Sequence, residues 1–166
     1  MQPRKNLQLI FDAWKTAHKK ISDLGLVVVG KPLRVFGNSG YHSIPSGVKL
    51  LGFVDDDDLP MLYSGAVGFV YPSLYEGFGL PVLESIACGT PVITSNRAPL
   101  TELVGDAGML VDPENSNELA DAMIQLVSDQ ELREKFSVLG LARAKEYSWD
   151  TTARRVWDVL QKAADK

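Results

Sequence analysis

Five short, mainly apolar runs do most to fix what this chain can fold into. Leu26–Val29 ends on Gly30, Val48–Val54 precedes four aspartates, and Val67–Tyr71 stops at Pro72; Pro91–Thr94 and Gly108–Val111 follow. Apolar runs this short, bounded by Gly and Pro, are the pattern of strands buried in a parallel sheet. Segments of helical period lie between them. Leu7, Ile10, Phe11, Trp14, Ala17 and Ile21 share one helical face, and Asp55–Asp58 opens a helix through Leu59, Leu62 and Tyr63. Leu80–Cys88 has Pro81 near its start and Gly89 just past its end, as a helix does, and Thr101–Val104 gives a further helical turn. The last third predicts three helices, capped by Asn115 (with Glu118 as a capping box), Asp129 and Ser148. Lys31–Gly47, rich in Gly, Pro, Ser and Asn, reads as a loop. Strands alternating with helices and short loops specify an α/β fold with a doubly wound, Rossmann-like parallel sheet, a single domain over residues 1–166. Ligands of such sheets sit beyond the C-terminal strand ends.

Composition excludes several functions. With 45% hydrophobic residues the chain can bury a sizeable core. The net charge is -4 and the basic residues are scattered, which argues against nucleic acid as a partner. Cys88, the one cysteine, excludes an internal disulfide and a cysteine-based zinc site. No apolar run approaches the roughly 20 residues that span a bilayer, and MQPRKNLQL is not a signal peptide. A cytoplasmic protein is expected, with peripheral attachment to the inner face of the membrane open to a longer form. Helical character begins within a few residues of Met1, so the expectation is either a designed fragment or a domain cut from a longer chain.

The chemistry concentrates after the third run, in Pro72-Ser73-Leu74-Tyr75-Glu76-Gly77-Phe78-Gly79-Leu80-Pro81. Gly77 and Gly79 leave backbone N–H groups open to close approach. They stand at a helix start, where unpaired N–H groups and the helix dipole favour phosphate. Two carboxylates, Glu76 and Glu84, flank this point. Carboxylates beside a phosphate site call for a hydroxyl-bearing ligand, because each accepts hydrogen bonds from adjacent hydroxyls. Hydroxyls together with phosphates describe a nucleotide sugar.

At these residues the chain resembles a known family. SLYEGFGLPVLESIACGTPVITSN is similar to the E(X)7E segment of the family-four retaining glycosyltransferases of GT-B fold, with Glu76 and Glu84 in the motif positions. The resemblance runs forward through GDAGMLVDPENSNELADAM to Ser148-Trp149, and back through GFVDDDDLPMLY to PRKN. It implies the C-terminal, donor-binding lobe, with the acceptor-binding N-terminal domain outside this chain. Glu84 would bind the ribose hydroxyls and Glu76 the donor sugar near the reacting carbon. The backbone of Gly77, Phe78, Gly79 and Leu80 would receive sugar and diphosphate. Lys5, with Arg4 beside it, would neutralise the leaving group, and the strand end at Gly52-Phe53-Val54 would meet the base. Lys5 and Glu76 are therefore the candidate catalytic residues. Thr101 departs from the family, which carries proline there.

The implied reaction is metal-independent hexose transfer from a nucleoside diphosphate sugar (GDP- or UDP-linked) to a glycan or lipid acceptor, with no cofactor. The PRKN and DDDDLP segments point to bacterial or archaeal surface-polysaccharide enzymes, often using GDP-mannose. Alternatives are a sugar-nucleotide-binding module, or a GT-B epimerase or phosphorylase relative; no lysine near Glu76 fits a phosphorylase cofactor. Plain structural readings compete at single residues. Asp55–Asp58 suits helix capping better than a metal, Cys88 reads as a small buried residue, and His18 and His42 have no identifiable partner. Trp149 and Trp157 belong either to the core or to a surface against the absent domain.

Overall fold

The computed structural model describes residues 3–30 and 44–164, so His42 and most of the loop expected over residues 31–47 lie outside the described residues. Every strand pairing is parallel. β1 (Leu26–Val29) pairs with β2 (Val48–Gly52), while β4 (Val92–Ser95) lies between β3 (Phe69–Tyr71) and β5 (Gly108–Val111). Among the described residues the strands thus form two sets, of two and three, and not one continuous ladder.

A common core joins the two sets. Helices α1 (Leu7–Ala17) and α5 (Ser116–Ser128) pack together over residues from all five strands: Leu26, Val28, Val48, Val70, Ile93, Met109 and Val111. Phe11 on α1 is 1% exposed, and burying such a side chain contributes about 1.5–3 kcal/mol. A second cluster covers the other face of the three-stranded set. There α3 (Leu80–Ala87) and α4 (Leu100–Val104) bring Val82, Ile86, Leu100, Leu103 and Val104 against Tyr71 and Val92. Val92 and Ile93 of β4 enter opposite clusters and all four residues of the strand are buried, as expected of a central parallel strand.

Strand β1 differs from expectation. Leu26 and Val28 face the core, but Val27 and Val29 are 49% and 37% exposed, because only one face of this strand is covered among the described residues. β2 stops at Gly52, two residues short of the sequence-predicted end. The register slips between Val28 and Val29, and Gly52 turns the chain out of the ladder at φ 76°.

The expected caps are present at three helices. The Asn115 side chain accepts from the N–H of Asn117 and Glu118, and Asp129 does so from Leu132 at the head of α6 (Gln130–Ala144). Ser148 accepts from Thr151 at the head of α7 (Trp149–Ala164). The capping box is altered: the Glu118 carboxylate takes the N–H of Asp112, since the N–H of Asn115 already donates to the Asp112 carbonyl. Asp56–Asp58 form a 3₁₀ turn ahead of α2 (Leu59–Ser64), and neither Asp55 nor Asp58 makes the side-chain cap expected there. Trp149 and Trp157 are 78% and 61% exposed on α7, which buries no residue, so they are not core. Cys88 is only half-buried, at the C-terminal end of α3. No helix among the described residues is long and apolar enough to cross a membrane.

Candidate functional site

The site is built at the C-terminal end of β3, where the chain passes through Pro72 and Ser73 into a loop and then into α3. Gly79 caps α3 at φ 101°, a conformation that L side chains rarely adopt. A Cβ at Gly79 would also stand 2.4 Å from Leu100 Cδ2, so this position needs glycine on two counts. Gly77 has a different role. A Cβ there would meet nothing within 4 Å, so the loop is open on that side, next to the helix N–H groups that have no intrahelical partner.

Lys5 reaches this loop because Asn6 ties the head of α1 to two strand ends. Asn6 takes a left-handed conformation, and its Nδ2 donates to the carbonyls of Pro72 (3.1 Å) and Pro113 (2.6 Å). The Leu74 N–H donates to the Arg4 carbonyl at 2.9 Å. Residues 71 apart in sequence are thereby held side by side.

Glu76 is the centre of the site and only 8% exposed. One oxygen, Oε1, accepts from Lys5 Nζ at 2.7 Å, Tyr71 Oη at 2.6 Å and Ser73 Oγ at 2.9 Å, and it is ion-paired with Arg4. Lys5 Nζ also sits 4.3 Å from the centre of the Tyr71 ring, a cation–π contact. Burial raises the Glu76 carboxyl, but the hydrogen bonds from Lys5, Arg4 and Ser73 outweigh it and hold the group below the usual carboxylate range. Glu76 is therefore ionised at neutral pH, with two cations and two hydroxyls fixed around it.

Glu84, in the second turn of α3, is exposed, and its Oε2 accepts from Tyr63 Oη at 3.1 Å. The Tyr63 phenol is pushed well above its ordinary value by burial first and by Glu84 next. Phe78 and Leu80 are 40% and 45% exposed on the same loop and helix start, and Phe78 meets Tyr147 edge-on. Val54 lies half-buried just beyond β2.

The structure brings Arg4, Lys5, Glu76 and the loop Gly77–Leu80 together at one point, with Glu84 on the helix that follows. Among the described residues, no hydrogen bond connects Val54 to this group. Sequence reasoning missed Tyr71, Ser73 and Tyr63. Tyr71 read as the last apolar residue of a strand and Tyr63 as part of an amphipathic helix; their hydroxyls gave no separate signal. An open groove along β5 and α5, lined by Met109, Leu110, Asn115, Glu118 and Asp121 among others, shares no residue with the site.

Residues 1–140 match the family described as "Glycosyl transferases group 1". The chain belongs to this family. Among curated proteins, this group 1 glycosyltransferase chain is 38% identical over 161 residues to the O-antigen chain mannosyltransferase B of Escherichia coli, covering 90% of this chain and 41% of the relative. Among solved structures it resembles sucrose-phosphate synthase from Thermosynechococcus elongatus, with TM-score 0.82 and 27% identity over 99% of this chain and 43% of that one. It also resembles the C-terminal domain of LpcC, a group 1 glycosyltransferase of Francisella tularensis, with TM-score 0.75 and 27% identity over 88% of this chain and 80% of that one. The chain thus spans less than half the length of the mannosyltransferase and of the synthase.

Proposed function

We propose that this chain is the donor-binding lobe of a retaining glycosyltransferase that moves a hexose from a nucleoside diphosphate sugar to a glycan or lipid acceptor. One observation carries the reading: two carboxylates flank an open glycine loop at a helix start, and two cations are drawn onto the first of them. Family membership and the 38% identical mannosyltransferase support it, and they make mannose the first sugar to test.

The chemistry follows from the charges. As the bond between the anomeric carbon and the diphosphate oxygen breaks, positive charge grows on the sugar and negative charge on the phosphate oxygens. Lys5 and Arg4, held on Glu76 in the structure, and the N–H groups at the start of α3 would serve as the donors for that oxyanion. Removing one such donor typically costs about 2.7–4 kcal/mol of barrier. Glu76 holds Lys5 and Arg4 in place and offers its second oxygen to a sugar hydroxyl near the reacting carbon. Glu84 takes the ribose hydroxyls and Val54 lies on the base side. Acceptor recognition and turnover belong to a second domain whose closure excludes water, so this chain alone binds donor without transferring sugar.

Calorimetric titration of the chain with GDP, UDP, ADP and their common sugar conjugates tests the reading. Saturable binding of one base class, with no sugar transfer by the chain alone, is the expected result. Failure to bind any of them, or transfer by the isolated chain, would overturn it.

A further inference from the structure

We propose that Tyr63 is a positioning residue for Glu84, holding its carboxylate in the one orientation that selects a ribose over a deoxyribose. The inference rests on the reading of Glu84 as the ribose carboxylate. Glu84 is exposed, and a free glutamate side chain carries up to about 2 kcal/mol of rotamer entropy that binding a diol must overcome. Tyr63 Oη donates to Oε2 at 3.1 Å, which fixes the carboxylate and leaves Oε1 for the ligand.

Tyr63 is itself held at two points. Its carbonyl accepts from the hydroxyl of Thr90, a buried residue just past α3, at 2.7 Å. Its ring meets Phe69 edge-on at 5.2 Å, and Phe69 in turn stacks on Tyr71 at 5.6 Å. α2 is thus tied to the segment just past α3 and to β3, with the phenol aimed at the motif carboxylate. The phenol stays protonated across the working pH range, because burial and the adjacent carboxylate both disfavour the phenolate, so it remains a donor. A tyrosine serving only to pack α2 would need neither the hydroxyl nor its alignment with Glu84.

The test is the affinity ratio between a ribonucleoside diphosphate and its 2′,3′-dideoxy analogue, measured on the chain and on Tyr63→Phe, Glu84→Ala and the double variant. Tyr63→Phe keeps the ring and its contact with Phe69, and its thermal unfolding provides the folding control. The ratio should fall about three- to tenfold in Tyr63→Phe, the worth of one net hydrogen bond. It should fall further in Glu84→Ala, with no additional loss in the double variant. If Glu84→Ala collapses the ratio and Tyr63→Phe leaves it unchanged, or lowers both affinities equally, the positioning role is wrong and the Glu84 reading survives. If Glu84→Ala leaves the ratio unchanged, or the unaltered chain binds neither nucleotide, the Glu84 reading fails and this inference with it.

Discussion

Replacing Glu76 by alanine removes the oxygen on which four donors converge, and the structure indicates how each donor would fare. Tyr71 is 9% exposed and directs its hydroxyl at Glu76 Oε1; leaving such a buried donor unsatisfied costs about 1–3 kcal/mol. Ser73 is fully buried but has the carbonyls of Arg4 at 2.9 Å and Tyr75 at 3.1 Å within reach, so it re-pairs at little cost. The side chains of Lys5 and Arg4 are 23% and 37% exposed, so water recovers most of what they lose, and about 1 kcal/mol covers both. The sum is about 2–4 kcal/mol for Glu76→Ala. Glu76→Gln keeps an acceptor oxygen for Tyr71 and should cost roughly half as much. Urea unfolding reads this as a lowered midpoint at unchanged slope. A Glu76→Ala variant within about 0.5 kcal/mol of the unaltered chain, the range of an ordinary surface substitution, would refute the account of Glu76 as a buried hub.

The same hub predicts a pH dependence. A carboxyl held below its ordinary value of 4.5 stabilises the fold above that pH, and the contribution is lost as pH falls through the lower folded-state value. Unfolding midpoints should therefore drop more steeply on acidification in the unaltered chain than in Glu76→Gln; parallel curves would contradict this. Gly79→Ala should destabilise by about 2–5 kcal/mol, adding a strained φ to a clash with Leu100; near-neutral chemical unfolding would rule that out. Asn115→Ala should cost about 1 kcal/mol through loss of the α5 cap, and unchanged thermal unfolding would show the cap to be idle.

What could be read from the residues was whatever has a local period or a local motif. Strands β3, β4 and β5 fell within two residues of their expected bounds because each is a short, mainly apolar run with Gly or Pro at or next to one end. Glu76, the glycine loop and Glu84 were visible as one contiguous motif. Family resemblance assigned Lys5 and Glu76 to one site, but their direct contact was not legible, since it depends on Asn6 bridging two strand ends, which leaves no periodic trace. The exposed face of β1 and the bare face of α7 were equally hidden, because Val27 and Trp157 look alike in sequence whether or not something covers them. The tyrosine hydroxyls escaped notice because an aromatic residue in a strand or helix satisfies the apolar pattern first.

The nucleoside diphosphate affinity of the chain compared with Glu84→Ala tests the central claim most directly. Loss of hydrogen bonds from ribose hydroxyls to a carboxylate, worth about 1.5–3 kcal/mol, predicts that affinity falls roughly 10- to 100-fold while the fold stays intact. Equal affinity in the two proteins would contradict the assignment of this site to a nucleotide sugar.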